Sequence, residues 1–360
     1  MLPYVDFIIA FFIALISSWL LTYPVKKLSM KVGTVDFPNQ RKIHTKVTPR
    51  LGGLAIFLGA FLGAIYLQPH HEHLPEIVVG AVIIIITGAL DDRFTLRPVA
   101  KLTGQLIAAS FLISGGLIIE RITIPLFGIV DLGFFSVLIT VLWIVGITNA
   151  INLIDGLDGL ATGVTTIALT SLFIMAIIDT QLLVAYFCIV LIGANLGFLY
   201  HNFYPAKIYM GDTGSNFLGY MIAVVSILGL FKNIALFSFV LPIIVLAVPI
   251  FDTLFSIIRR ALKKENIMMG DQKHIHYQIL AAGYSHRKTV LILYGISALF
   301  GVLAILLSNA SITTNLIFMF ILLMLLHILA EIAGLVLGGK RPVLSMLGSL
   351  IRRRKKEIEE

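Results

Sequence analysis

Charge is scarce in this chain. Of its 360 residues, 13% are charged and 58% are hydrophobic, and the mean hydropathy is +0.99. A soluble chain of this length would divide into two or three domains. This balance excludes that and describes a polytopic membrane protein. Cysteine is nearly absent: Cys188 stands alone in an apolar run, so no disulfide forms within the chain and the thiol reads as packing. The phosphate-binding pattern G-x-x-x-x-G-K-[ST] is missing, as is a G-x-G-x-x-G after a strand, and no nucleic-acid module is present. The N-terminus, MLPYVDF, lacks a basic n-region. Its first cations, Lys26 and Lys27, follow the apolar stretch, so that stretch reads as a retained first span.

Long hydrophobic runs are abundant. Eleven are readable, at 4–23, 51–67, 77–90, 102–119, 134–154, 160–178, 182–200, 214–230, 234–258, 289–307 and 315–337. The expected fold is therefore an all-α polytopic integral membrane protein of about eleven transmembrane helices. With the N-terminus outside, 25 of the 27 Lys and Arg fall on cytoplasmic segments, leaving Arg121 and Lys232 outside. The reverse orientation violates the positive-inside rule. The C-terminus is then cytoplasmic. Residues 1–337 form one transmembrane catalytic domain with cytoplasmic loops 24–50, 91–101, 201–213 and 259–288, and 338–360 is a basic cytoplasmic tail suited to lipid headgroups. On the outer face, ERITIPLFGIVDLG at 120–133 alternates β-branched residues around turn glycines and suggests a small β-hairpin. The histidine-rich HHEHLP at 70–75 reads as an outer surface loop.

The polar motifs interrupting these runs all fall on the cytoplasmic side. Asp91 and Asp92 directly follow the third run. Adjacent carboxylates at a helix end need a cation or a shared proton. A solvated helix terminus is the bland alternative. An unpaired aspartate at mid-bilayer costs roughly 2.5–3.5 kcal/mol on the translocon scale, so a water-filled cleft suits the pair better. In NAINLIDGLDGL, Asn149, Asn152, Asp155 and Asp158 recur every third residue. The first three can share a helix face, and Gly156 and Gly159 provide a bend and close approach. Interhelical amide contacts, with Asp158 capping the sixth helix, would also explain the pattern. Asp212 lies in YMGDTGSN, where it either caps the eighth helix or holds Mg²⁺ against a phosphate drawn to the helix end. His274 and His276 lie in a basic loop with Arg259, Arg260, Lys263, Lys264 and Lys273, a weak metal signal but a good setting for a polar ligand. Carboxylates for a divalent cation and cations for phosphates, opening between membrane helices, suit phosphoryl transfer to a lipid acceptor.

These motifs resemble the polyprenyl-phosphate N-acetylhexosamine-1-phosphate transferase family. LDD at 90–92, NAINLIDGLDGL at 149–160, PAKIYMGDTGS at 205–215 and HIH at 274–276 follow the family's order, and RKIHTKVTPRLGG at 41–53 looks like its first cytoplasmic loop. The likeness covers about residues 20–290 and is strongest to the branch that initiates wall teichoic acid synthesis. It implies transfer of GlcNAc-1-phosphate from UDP-GlcNAc to undecaprenyl phosphate, with Mg²⁺ as cofactor and Mn²⁺ as a substitute. It implies catalytic roles for Asp91, Asp92, Asp155 and Asp158, and metal ligation by Asp212 with Asn152. It implies substrate binding by Lys101, Asn202, Tyr209, Arg260, His274, His276, Arg50 and His44, with Tyr209 as the ring beside uracil. Direct attack and a phosphoryl-aspartate intermediate both stay open, and a homodimer is compatible. Thr95 stands where the family often has a lysine, and Tyr277 takes the last place of its HIHH loop. Two alternatives remain. One is the sister branch using UDP-MurNAc-pentapeptide, which typically carries three consecutive histidines. The other is an ion-coupled transporter using Asp252 and Glu331.

Overall fold

A computed structural model describes residues 4–37, 47–124, 128–229, 240–262, 264–265, 274–308, 321–328 and 330–331. In chain order the elements are α1 (Tyr4–Val32), β1 (Val35–Asp36), β2 (Thr48–Pro49), α2 (Gly53–Leu67), α3 (Leu74–Phe94), α4 (Pro98–Ser114), β3 (Arg121–Ile124), β4 (Gly128–Asp131), α5 (Phe135–Ile154), α6 (Leu160–Ile178), α7 (Leu182–Asn202), α8 (Gly211–Gly229), α9 (Val240–Val245), α10 (Ala247–Leu262), α11 (Ile275–Ala281) and α12 (His286–Ser308). Six of these (α1, α3, α5, α6, α7 and α12) are long and apolar enough to cross a bilayer, and α2 and α4 are shorter apolar helices. The chain is a multi-pass, mainly helical membrane protein.

Each of the first ten apolar runs carries a helix, and the departures have local causes. α1 continues past residue 23 to Val32. The ninth run holds two helices that break at Leu246. Pro249 has no N–H for the Val245 carbonyl, which removes a helical hydrogen bond at that point. Proline also starts helices here: Pro75 and Pro98 occupy first-turn positions of α3 and α4, where the missing N–H is harmless. Of the eleventh run, residues 321–328 are helical and most of the remainder lies outside the described residues, as does the tail 338–360. β3 pairs antiparallel with β4, Arg121 opposite Asp131 and Ile124 opposite Gly128.

The helix at the centre is α8. All its residues except Asp212 and Gly229 are buried, and it packs against α2, α3, α5, α6 and α7. Close approach depends on glycine. A Cβ on Gly53 would meet the Gly214 backbone, one on Gly88 would meet Thr213, and one on Gly219 would meet Thr148. Small contact residues are how membrane helices gain dispersion contact where burial offers no hydrophobic gain. An amide chain crosses this core: Asn149 Nδ2 donates to Gln105 Oε1 (2.8 Å), and Gln105 Nε2 donates to Asn216 Oδ1 (3.4 Å). It ties α5, α4 and α8 together. A cavity of about 450 Å³, lined by residues including Phe57, Phe61, Ile77, Phe187, Phe217 and Met221, lies between α2, α3, α7 and α8.

Candidate active site

The N-terminal turn of α8 gathers the ends of several helices. α3 ends on Asp91, Asp92, Arg93 and Phe94 because Thr95 takes a left-handed conformation (φ 51°) and returns its N–H to the Asp91 carbonyl. Thr95 is thus a helix terminator. Asp91 accepts the Leu96 N–H on Oδ1 (2.7 Å) and meets the Lys101 ammonium through Oδ2. Lys101, from the first turns of α4, also reaches Asp212 Oδ2 at 2.6 Å. One ammonium therefore bridges the carboxylates of Asp91 and Asp212. Arg50 closes the other side, with its guanidinium 3.7 Å from Asp92 and 3.8 Å from Asp212. A short ladder brings it there: β1 pairs with β2, Val35 opposite Pro49, immediately before Arg50. Burial alone would lower the Arg50 pKa, but Asp92, Asp212, Asp36 and Asp155 outweigh it and hold the pKa above its usual value.

At the opening of α8, capping is not the role of Asp212, which lies inside the first turn of the helix. Its first amides are taken by Asp92: Asp212 N–H donates to Oδ1 (2.8 Å) and Thr213 N–H to Oδ2 (2.9 Å). The Asp212 carboxylate is left to Lys101 and Arg50, its side chain 15% exposed.

The four polar residues of NAINLIDGLDGL divide their tasks. Asn149 turns into the amide chain of the core. Asn152 Nδ2 donates to Ser215 Oγ on α8 (2.8 Å), which leaves its carbonyl oxygen for another partner. Asp155 stands at the C-terminal end of α5. Burial, with the nearby charge of Asp212, pushes its pKa up to about 7. Asp158 does not cap α6, whose N-terminal residue Gly159 (φ 77°) makes no side-chain cap. Its Oδ2 instead accepts the Ala206 N–H at 2.9 Å and anchors the 203–209 segment.

The two expected nucleotide contacts lie at the end of α7 and in that segment. Asn202 is fully engaged inside the protein, accepting from Thr162 Oγ1 (2.8 Å) and donating to the Ile208 carbonyl (3.0 Å). Tyr209 bonds Pro49 and Gly52 through its backbone. Its hydroxyl meets Thr48, and burial, then the charge of Asp158, lifts its pKa to about 12. Tyr209 holds the loop against β2, and Asn202 ties it to α6.

The histidine loop docks on the same wall. Asp252 accepts from His274 Nδ1 (2.9 Å) and from the Ile275 N–H (2.8 Å), fixing the start of α11. The transporter reading left Asp252 as a lone intramembrane carboxylate; here it is a histidine partner. Glu331 lies 3.2 Å from His327. The His274 and His276 rings stack with centroids 5.8 Å apart. His276 is buried, neither ring nitrogen has a hydrogen-bond partner among the described residues, and burial lowers its pKa to about 4. It lies against Gly156, where a Cβ would collide with its Nε2. Arg260 pairs with Glu265 at 3.5 Å. His44 lies outside the described residues. Sequence reasoning missed Ser215 and the anchoring role of Asp252; a carboxylate and a buried histidine motif separated by 22 residues give no local signal of pairing.

The sequence of this chain is similar to those of known proteins. The glycosyl transferase family 4 model matches residues 74–230. A probable undecaprenyl-phosphate N-acetylglucosaminyl 1-phosphate transferase of Bacillus subtilis is 46% identical over 348 residues, covering 96% of this chain and 97% of the relative. The chain belongs to the polyprenyl-phosphate GlcNAc-1-phosphate transferase family. Another relative of this polyprenyl-phosphate transferase is the decaprenyl-phosphate N-acetylglucosaminephosphotransferase of Mycobacterium tuberculosis, 36% identical over 78% of this chain and 77% of the relative. A phospho-N-acetylmuramoyl-pentapeptide-transferase of Listeria welshimeri is 38% identical, but over 52% of this chain and 56% of its own length.

Proposed function

We propose that this transferase moves GlcNAc-1-phosphate from UDP-GlcNAc to undecaprenyl phosphate, releasing UMP, as the first membrane step of a cell-wall polymer such as teichoic acid. The observation that carries the reading is the Lys101 ammonium shared by Asp91 and Asp212, with Arg50 opposite. It couples anion-binding cations to carboxylates able to hold a divalent cation. In our reading the chain crosses the membrane eleven times, N-terminus outside, and the site faces the cytoplasm, where UDP-GlcNAc is available. The Lys and Arg distribution supports that orientation. A homodimer is compatible with it.

Mg²⁺, with Mn²⁺ as a substitute, fits the donor set. Asp212, the Asn152 carbonyl and Asp91 are all oxygen donors, as a hard cation requires. Among the described residues no group of three or more His, Cys, Asp or Glu forms a closed metal cage. Mg²⁺ commonly takes one or two carboxylates and fills its shell with water and substrate phosphates. When bound, it neutralises the pyrophosphate. Lys101 and Arg50 hold phosphate oxygens. Asp91 orients the acceptor phosphate, whose oxygen attacks the phosphorus bearing the sugar. The bond to the UMP oxygen breaks and UMP departs with the electron pair. In this reading the loop carrying His274 and His276, with Arg260, recognises the sugar.

Purified protein should release UMP from UDP-GlcNAc only when both Mg²⁺ and undecaprenyl phosphate are present, and Asp212→Ala should abolish release while the protein stays folded. Normal release by that variant would refute the metal assignment. No release by the parent protein, with solute uptake in liposomes, would refute the reaction. A panel of UDP-GlcNAc, UDP-GalNAc and UDP-MurNAc-pentapeptide reads the sugar.

A further inference from the structure

The two adjacent aspartates are not equivalent. We infer that Asp92 is a positioning residue: its carboxylate clamps the first turn of α8 and so sets where Asp212 stands, while the acceptor phosphate is left to Asp91 and Lys101.

Both aspartates are buried: the Asp92 side chain is 0% exposed and that of Asp91 5%, against 15% for Asp212 and 31% for Lys101. Hydrogen bonding separates the two. Asp92 Oδ1 accepts the Asp212 N–H at 2.8 Å, and Oδ2 accepts the Thr213 N–H at 2.9 Å and the Thr213 hydroxyl at 2.6 Å. With the Arg50 guanidinium 3.7 Å away, both oxygens are committed. Asp91 spends one oxygen on the Leu96 N–H and turns the other to Lys101, which is itself partly exposed.

The first N–H groups of any helix lack intrahelical partners. An N-cap residue usually supplies one from the preceding turn. The chain before α8 reads Tyr209, Met210 and then Gly211, so no local side chain can do this. Asp92 supplies the acceptor from α3 instead, and its negative charge also faces the positive end of the helix dipole. Gly211 is built for this. It adopts φ +70°, and a Cβ there would collide with the Asp92 carboxylate and the Arg50 carbonyl. Two features of the chain, a glycine and a remote carboxylate, thus serve one clamp, and the residue clamped is Asp212.

The metal part of this inference rests on the proposed function; the clamp does not. The test therefore has two arms. Amide hydrogen exchange on the parent protein should show the Asp212 and Thr213 amides protected, although first-turn amides ordinarily exchange freely. Asp92→Asn places an amide NH₂ against an N–H donor and should speed their exchange about fivefold to tenfold, the effect of losing a helix cap. Thr213→Val removes one of the three bonds and keeps the charge, so it should give a smaller change in the same direction. Calorimetric titration of Mn²⁺ into nucleotide-free protein should show affinity falling in that same order. In turnover, kcat should fall while the KM for undecaprenyl phosphate stays within about twofold. Unchanged exchange and metal affinity with a raised acceptor KM would overturn the inference and return Asp92 to the acceptor. If Asp92→Asn does not fold, Thr213→Val decides: exchange and metal affinity like the parent protein's refute the clamp. Altered exchange in a parent protein that shows no transferase activity would refute the reaction and leave the clamp standing.

Discussion

Acidification should loosen the histidine loop, and His276 should account for it. This imidazole is 1% exposed, neither ring nitrogen has a hydrogen-bond partner among the described residues, and burial holds its pKa at about 4 against an ordinary 6.5. A histidine with a depressed folded pKa stays neutral in the folded state while the unfolded chain takes up a proton. Its contribution to stability is therefore complete above pH 6.5 and is lost as pH falls toward 4. Between pH 7.5 and 5.0 the unfolded histidine gains most of its charge and the folded one almost none, a loss of about 2 kcal/mol. For a chain of this length that lowers the melting temperature by about 3 °C. Asp155 works in the opposite direction, because its pKa is raised to about 7 and protonation relieves its buried charge. The total pH profile thus mixes two signs, and the informative quantity is a difference. Thermal unfolding in detergent should be followed at both pH values for the parent protein and His276→Gln. The variant shifts both curves but removes the titration, so its pH-dependent loss should be smaller by about 2 kcal/mol. Parallel pH profiles would show that His276 is already charged or hydrated in the folded protein, and the reasoning from its burial would fail.

Lys101→Met should abolish turnover and lower thermal stability by about 2–4 kcal/mol, a partly buried ion pair losing its cation between two carboxylates; Mg²⁺ should restore part of the melting temperature, and a melt unaffected by Mg²⁺ would count against metal binding there. Gly53→Ala drives a Cβ into the Gly214 backbone and should destabilise by about 1–3 kcal/mol, read by the same melt. Gly156→Ala pushes a Cβ into His276 and should raise the KM for the sugar nucleotide more than that for undecaprenyl phosphate; equal KM values to the parent would separate the histidine loop from sugar binding.

Particular residues show what could be read without coordinates. The apolar runs located the helices because a membrane helix must be apolar over its whole length and satisfy its own backbone. Prolines at the starts of α3 and α4 agreed with their helix boundaries, while Pro249 broke a run that hydropathy alone kept whole. Asp91 and Asp212 were legible as candidates because charge beside a membrane segment is expensive without a partner, and Lys101 through the family resemblance. Their division of labour was not legible. Asp91 and Asp92 are chemically identical neighbours, and the 100° turn between successive helical positions sends one to Lys101 and the other into the end of α8. The resemblance put Asn202 and Tyr209 beside uracil; what it did not give is that Asn202 bonds Thr162 and Ile208 and the Tyr209 hydroxyl meets Thr48.

By itself the sequence determined that this is a membrane transferase with a polar cluster at one end of its helices, since hydropathy, charge asymmetry and motif order are properties of the chain. Tertiary structure alone decided which groups meet. A hydrogen bond between Asp92 and Thr213 spans 121 positions, and one between Asp252 and His274 spans 22. The first is set by the glycine contact that lets α3 close on α8, Gly88 against Thr213, the second by the docking of α11 on α10, and no local pattern encodes either distance.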